Sequence, residues 1–159
     1  MKVVWMYHDI MDLYGDKGNM MVLKKRCLDR GIPFELDTCG IGEEKDLSEY
    51  DLIFLGGGAD KEQISLIPGQ TLNVTHPLGK VVKGCGNSFN AGYEGFYDGK
   101  ILGTYLHGPL LPKNPEVADF VISKALQKRN PDFKYSDLKP LEDKFEKMAR
   151  EAVFKKLEI

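Results

Sequence analysis

Apolar and polar positions fall into short blocks over the first third of the chain. Residues 2–6 form an apolar run of strand type, and the pattern resumes at residues 34–37. Between them Met20, Leu23, Cys27 and Leu28 recur at helical spacing within residues 19–30, and Gly31 stands where a C-cap is expected. Leu52, Ile53, Phe54 and Leu55 make a fully apolar strand within residues 51–55 that runs straight into Gly56-Gly57-Gly58. Strand, helix, strand and a strand entering a glycine turn predict an α/β fold with a mostly parallel sheet.

The middle changes character. Residues 64–77 have mixed polarity, two prolines and no period. Residues 79–86 predict an edge or hairpin strand. Residues 93–96 and 101–106 predict the two arms of a hairpin, with Asp98-Gly99 in its turn. The second arm reads as a buried strand that delivers His107 to its C-terminal end before Gly108-Pro109 stops it. Helices are expected over residues 115–129, with Val117, Phe120, Val121 and Ala125 on one face, and over residues 137–157. The second carries Leu141, Phe145, Met148, Ala152 and Val153 at amphipathic spacing.

At 159 residues the chain fits a single domain, residues 1–159. A net charge of −2 gives no electrostatic footprint for nucleic acid. No run of 18 apolar residues and no signal-peptide pattern is present, so a soluble, cytoplasmic protein without a membrane span is expected. Cys27, Cys39 and Cys85 fit a reducing compartment and match no zinc spacing. Cys27 reads as core, Cys39 as part of the loop before Ile41, and Cys85 as exposed among glycines.

Several segments carry chemistry on two readings. His107 at the end of a strand serves either as a general base or as a loop cap held by hydrogen bonds. Gly56-Gly57-Gly58 offers backbone N–H groups to an oxyanion or a phosphate, or is simply a tight strand-to-helix turn; no P-loop or dinucleotide fingerprint accompanies it. In Tyr14-Gly15-Asp16-Lys17-Gly18-Asn19, Asp16 or Asn19 is placed to cap the first helix.

Taken together, Tyr7-His8-Asp9 through Asn19, Asp51 through Gln63, Pro77-Leu78-Gly79-Lys80-Val81 and Gly103 through Pro115 resemble a class I glutamine amidotransferase of the cobyric-acid-synthase-like type. The likeness is nearest to the small subunits that serve amidation of the peptidoglycan precursor lipid II, and it runs in order along nearly the whole chain. It implies a flavodoxin-like domain, glutamine as substrate, no cofactor and no metal. It further implies a Mur-ligase-like partner that uses ATP and receives the ammonia to amidate a D-glutamate. His107 stands where that family places its catalytic histidine, and Gly57 and Gly58 where it offers donors to the oxyanion.

The chain departs from the family at one place. The Cys-Gly-Gly elbow that carries the nucleophile has no counterpart, and only residues 59–70 fill a gap in which a βα crossover needs about 30 residues. An internal deletion is therefore expected around residues 59–70. Cys85, within Gly84-Cys85-Gly86-Asn87, is the one candidate for a replacement nucleophile beside His107. Three readings stay open: an impaired amidotransferase subunit, of the lipid II or the cobyric-acid type; a non-catalytic subunit that docks a partner; and a shortened product without a role. Losing a central strand exposes sheet edges, which leaves self-pairing as a homodimer or aggregation open as well.

Overall fold

A computed structural model describes residues 1–12, 15–57, 76–84, 87, 92–106 and 108–158. Among these the chain is a mixed α/β protein built on a three-stranded parallel sheet and four helices. Strands β1 (Lys2–Met6), β2 (Glu35–Cys39) and β3 (Leu52–Leu55) lie in the order β2-β1-β3. In the register, Val3 faces Leu36 and Leu52, and Met6 faces Cys39 and Leu55. Val3, Val4 and Trp5 are all buried because β1 is central and both its faces are covered.

Helix α1 (Lys17–Leu28) joins β1 to β2 and lays Met20, Leu23 and Cys27 on the Val3–Trp5 face. Leu28 falls off that stripe and is exposed. Gly31, at φ +71°, ends the helix as expected: its N–H donates to the Leu28 carbonyl and that of Ile32 to the Cys27 carbonyl. Burial of the Cys27 thiol pushes its pKa up to about 11, which fits a packing role. Cys39 is not in a loop: it closes β2, fully buried against Val4 and Tyr50 on the other face of the sheet.

The C-terminal part covers the same face as α1. Helix α2 (Leu110–Lys113) inserts Leu111, and α3 (Pro115–Gln127) inserts Ala118 and Ile122. Fully burying a side chain such as Leu23 or Ile122 contributes about 1.5–3 kcal/mol. The inner face of α3 is turned from the expected one: Pro115, Ala118, Ile122 and Ala125 point inward, while Val117 and Val121 flank the core. Asp119 causes this turn, because its carboxylate is drawn in to meet Arg26 and Arg30 of α1.

Two expectations fail in the middle and at the end. The segment 101–106 is not a buried strand. Only β7 (Leu102–Gly103) forms, antiparallel to β6 (Phe96–Tyr97), while Ile101, Tyr105 and Leu106 are exposed. The Asp98-Gly99 turn is present, with Asp98 Oδ1 accepting the N–H groups of Lys100 and Ile101. The Glu94 carboxylate then takes the Thr104 hydroxyl and the Tyr105 N–H, which ends the ladder. A second ribbon pairs β4 (Gly79–Lys80) with β5 (Tyr93–Glu94), so the edge or hairpin strand expected over 79–86 forms at its first two residues and stops before Val81, with Cys85 and Gly86 outside the described residues.

The last helix, α4 (Lys144–Leu157), starts later than residue 137. Pro140 disfavours helix at the residue before it, and Leu138 leaves the chain to enter the core. None of the side chains of α4 is buried, and its amphipathic stripe is exposed. Among the described residues no helix is long and apolar enough to cross a membrane.

Candidate functional site

Past the C-terminal end of β1 the chain folds back at once. Tyr7 takes φ +52°, donates its N–H to the Cys39 carbonyl, and accepts the N–H groups of Ile10 and Met11 on its own carbonyl. This tight turn brings the Met11 carbonyl against the end of β3. A Cβ on Gly56 would lie 1.9 Å from that oxygen, so only glycine fits there. His8, exposed, sits edge-on to Trp5 with ring centroids 6.2 Å apart. The buried indole N–H of Trp5 finds no acceptor among the described residues.

Helix α1 begins at the same end of the sheet. Its first free N–H, that of Lys17, goes to the carboxylate of Asp12 at 3.0 Å, so Asp12 does the work expected of Asp16 or Asn19. Asp16, 8% exposed, turns inward: its Oδ2 accepts the Gly57 N–H at 2.9 Å and its Oδ1 the Asn19 amide at 3.3 Å. Burial pushes the Asp16 carboxyl above its ordinary range, against the lowering pull of the Gly57 N–H. Asn19, also buried, accepts the Leu111 N–H on Oδ1 at 2.9 Å.

A chain of hydrogen bonds therefore runs Leu111–Asn19–Asp16–Gly57 and ties three segments that are far apart in sequence. Pro109 seals the join. Its ring lies where a Cβ on Gly18 would come within 3.0 Å, and within 3.8 Å of one on Gly15. Gly15, Asp16 and Asn19, the Gly56-Gly57 pair and the stretch from Gly108 onward meet at the carboxyl ends of β1 and β3. In an open α/β sheet this is the end at which ligands bind.

Of the residues singled out from sequence, Gly57 lies in this junction with its N–H already engaged by Asp16. His107, Cys85 and Gly58 lie outside the described residues, as does the segment 59–70. Two open clefts among the described residues lie elsewhere. One of about 400 Å³, between Arg30, Leu126, Phe133 and Leu138, and one of about 330 Å³, between Lys2, Phe34 and Arg129, flank the starting ends of the strands. Among the described residues no group of three or more His, Cys, Asp or Glu side chains is placed to hold a metal ion.

Sequence reasoning missed a second feature, a buried ion cluster between α1, α3 and the start of α4. Arg26 makes a two-toothed contact with Asp119, at 2.7 Å on both arms, and also binds Asp143. Arg30 reaches Asp119 at 2.7 Å and the Lys139 carbonyl at 2.7 Å. Burial opposes the charge on Arg26, but the bonds from Asp119 and Asp143 outweigh it and raise its pKa. Arg26 Nη1 holds Asp143 below the usual carboxylate range. A basic residue inside an apolar helical stripe, four positions before a second one, was the available signal.

No protein-family model matches the chain. Two curated relatives do. One is the GatD subunit of lipid II isoglutaminyl synthase (glutamine-hydrolyzing) from Staphylococcus aureus, 24% identical over 214 residues, covering 83% of this chain and 88% of the relative. The other is the GatD subunit of the same enzyme from Streptococcus pneumoniae, 22% identical over 212 residues, covering 81% and 82%. The chain is GatD-like. Both aligned spans exceed the 159 residues of this chain, so the GatD relatives contain stretches without a counterpart here.

Proposed function

We propose that this chain is a glutamine amidotransferase-like subunit acting in lipid II amidation, a single cytoplasmic domain of the flavodoxin-like, class I type. The carrying observation is the convergence of Asp16–Asn19, Gly56-Gly57 and Gly108–Leu111 at the carboxyl ends of the strands. These are the segments that resemble such amidotransferases, and the likeness to GatD supports the same reading. Glutamine is the small-molecule substrate, and a Mur-ligase-like subunit consuming ATP is the partner. A cobyric-acid-type acceptor is the nearest substitute for lipid II.

The chemistry asked of the site is amide hydrolysis. An imidazole takes the proton of a thiol, the thiolate attacks the side-chain carboxamide of glutamine, and the imidazolium gives that proton to the leaving ammonia. Water, activated by the same imidazole, then hydrolyses the thioester to glutamate and the free thiol. In this chain His107 is the candidate imidazole, Gly57 and Gly58 are candidate donors to the oxyanion, and Cys85 is the candidate thiol. The aligned spans, longer than the chain, support a shortening; we read it as falling around residues 59–70 and taking the original nucleophile with it.

One observation favours a subunit with impaired or no hydrolysis. An oxyanion donor has to be free to turn towards developing negative charge, yet the Gly57 N–H is spent on the Asp16 carboxylate. Loss of a catalytic nucleophile lowers turnover by roughly 10³-fold or more, so glutamate release by the purified chain should fall at least that far below an intact subunit. The chain should nevertheless co-purify with its ligase-like partner, and His107→Ala should leave that association unchanged. Rapid glutamine hydrolysis abolished by His107→Ala or Cys85→Ser would overturn the impaired reading; failure to bind any ligase-like protein would overturn the subunit reading.

A further inference from the structure

Helix α4 is put together the wrong way round for a helix that serves only the fold. Phe145, Met148, Ala149 and Ala152 share one side by their spacing, and that side faces outward. Phe145 is 79% exposed, Met148 54% and Val153 53%. The helix is held from its other side by polar contacts. Arg150 bonds Glu116 of α3 at 2.6 Å, Asp143 just before the helix is clamped by Arg26, and the Lys83 ammonium donates to the Leu157 carbonyl.

The helix is also strongly basic. Within α4 five basic residues (Lys144, Lys147, Arg150, Lys155 and Lys156) stand against Glu146 and Glu151, a net +3 in a chain whose total is −2. Lys144 and Lys155 border the apolar stripe on one side, and Lys156 stands in line with it at the C-terminal end. An aromatic and aliphatic face edged by lysines, on a helix of low overall hydrophobicity, is built to lie in the plane of an anionic lipid surface. At about 21 Å the helix is too short to cross a bilayer core of about 30 Å, so it would lie on the surface.

We infer that α4 docks this protein on membranes rich in anionic lipid, through the Phe145–Met148–Ala152 stripe and its lysine border. A footprint about 21 Å long and 10 Å wide is a few hundred Å² at most, well short of the roughly 800 Å² per partner of a stable protein interface. A lipid surface sets no such threshold, since insertion of a few side chains adds to attraction of the lysines. The inference goes beyond the amidotransferase reading and stands on the helix itself, so neither depends on the other.

The test is co-sedimentation of the full chain with large vesicles, either of phosphatidylcholine alone or with phosphatidylglycerol in equal parts. Binding to the mixed vesicles is expected to exceed that to phosphatidylcholine by at least about tenfold and to weaken with added salt. Lys155→Gln with Lys156→Gln should weaken it about 25-fold, at about fivefold for each lysine. Phe145→Glu with Met148→Glu should abolish it while leaving the circular dichroism spectrum unchanged, since both side chains are exposed. Equal binding to both vesicle types, unchanged binding of the Phe145/Met148 pair variant, or a concentration-dependent dimer dissolved by that same pair would overturn the inference.

Discussion

Asp16 shows how a single side chain can be diverted from its local role by a distant one. Its position before α1 fits a helix cap, but Asp12 supplies the cap and Asp16 instead joins the start of α1 to the end of β3. Burial raises its pKa, so the folded state holds the Asp16 proton more tightly than the unfolded chain does. The stability tied to that proton is fully present below the ordinary value of 3.8 and is lost as pH rises through the raised folded value. The difference in unfolding free energy between the wild type and Asp16→Asn should therefore shift against the wild type across that window and level off above it. At neutral pH the two should differ by no more than about 1 kcal/mol, because asparagine keeps an acceptor for the Gly57 N–H while crowding the Asn19 amide. Urea denaturation at a series of pH values measures the difference, and a flat profile would show that Asp16 ionises freely in the fold.

At the scale of elements, the ion cluster decides how the C-terminal half sits on the sheet. Asp119 faces both Arg26 and Arg30, so Asp119→Ala leaves two guanidinium groups short of a partner and should cost about 3–5 kcal/mol. Asp143→Ala should act differently. Arg26 keeps Asp119, so global stability falls less, while amide exchange across α4 accelerates as its start comes loose. Because Arg26 lowers the pKa of Asp143, the contribution of this contact is present above the ordinary 3.8 and lost as pH falls through the lowered value. Apolar patterning made β1, α1, β3 and α3 legible nearly to their ends, since each has a face that must be buried. It misread the inner face of α3 and the start of α4, because a buried carboxylate and a proline outrank the apolar stripe there. The glycines that follow β3 were visible in the sequence, whereas the Asp16–Gly57 and Asn19–Leu111 bonds join residues 41 and 92 positions apart and leave no local mark.

For the molecule as a whole, burial is unevenly shared. Val3, Trp5, Leu23, Cys27, Ala118 and Ile122 form one continuous core between the sheet and α1 to α3. The two antiparallel ribbons contribute no residue to it, and β6–β7 leans on the rest through the Tyr97 ring, edge-on to Phe120 at 5.2 Å. Local stability follows the density of buried apolar contact, so the parts should open at different free energies. Amides of β1 and of the inner turns of α1 and α3 are expected to exchange only by global unfolding, and those of β6 and β7 by a local opening. Tyr97→Ala should lower the protection of the ribbon by about 0.5–1.5 kcal/mol, the worth of an aromatic pair beyond its buried area, and leave the unfolding of the core unchanged. Native-state hydrogen exchange resolves the two classes. A single exchange free energy for ribbon and sheet, shifted together by Tyr97→Ala, would mean that the ribbons belong to the cooperative core despite their exposed surfaces.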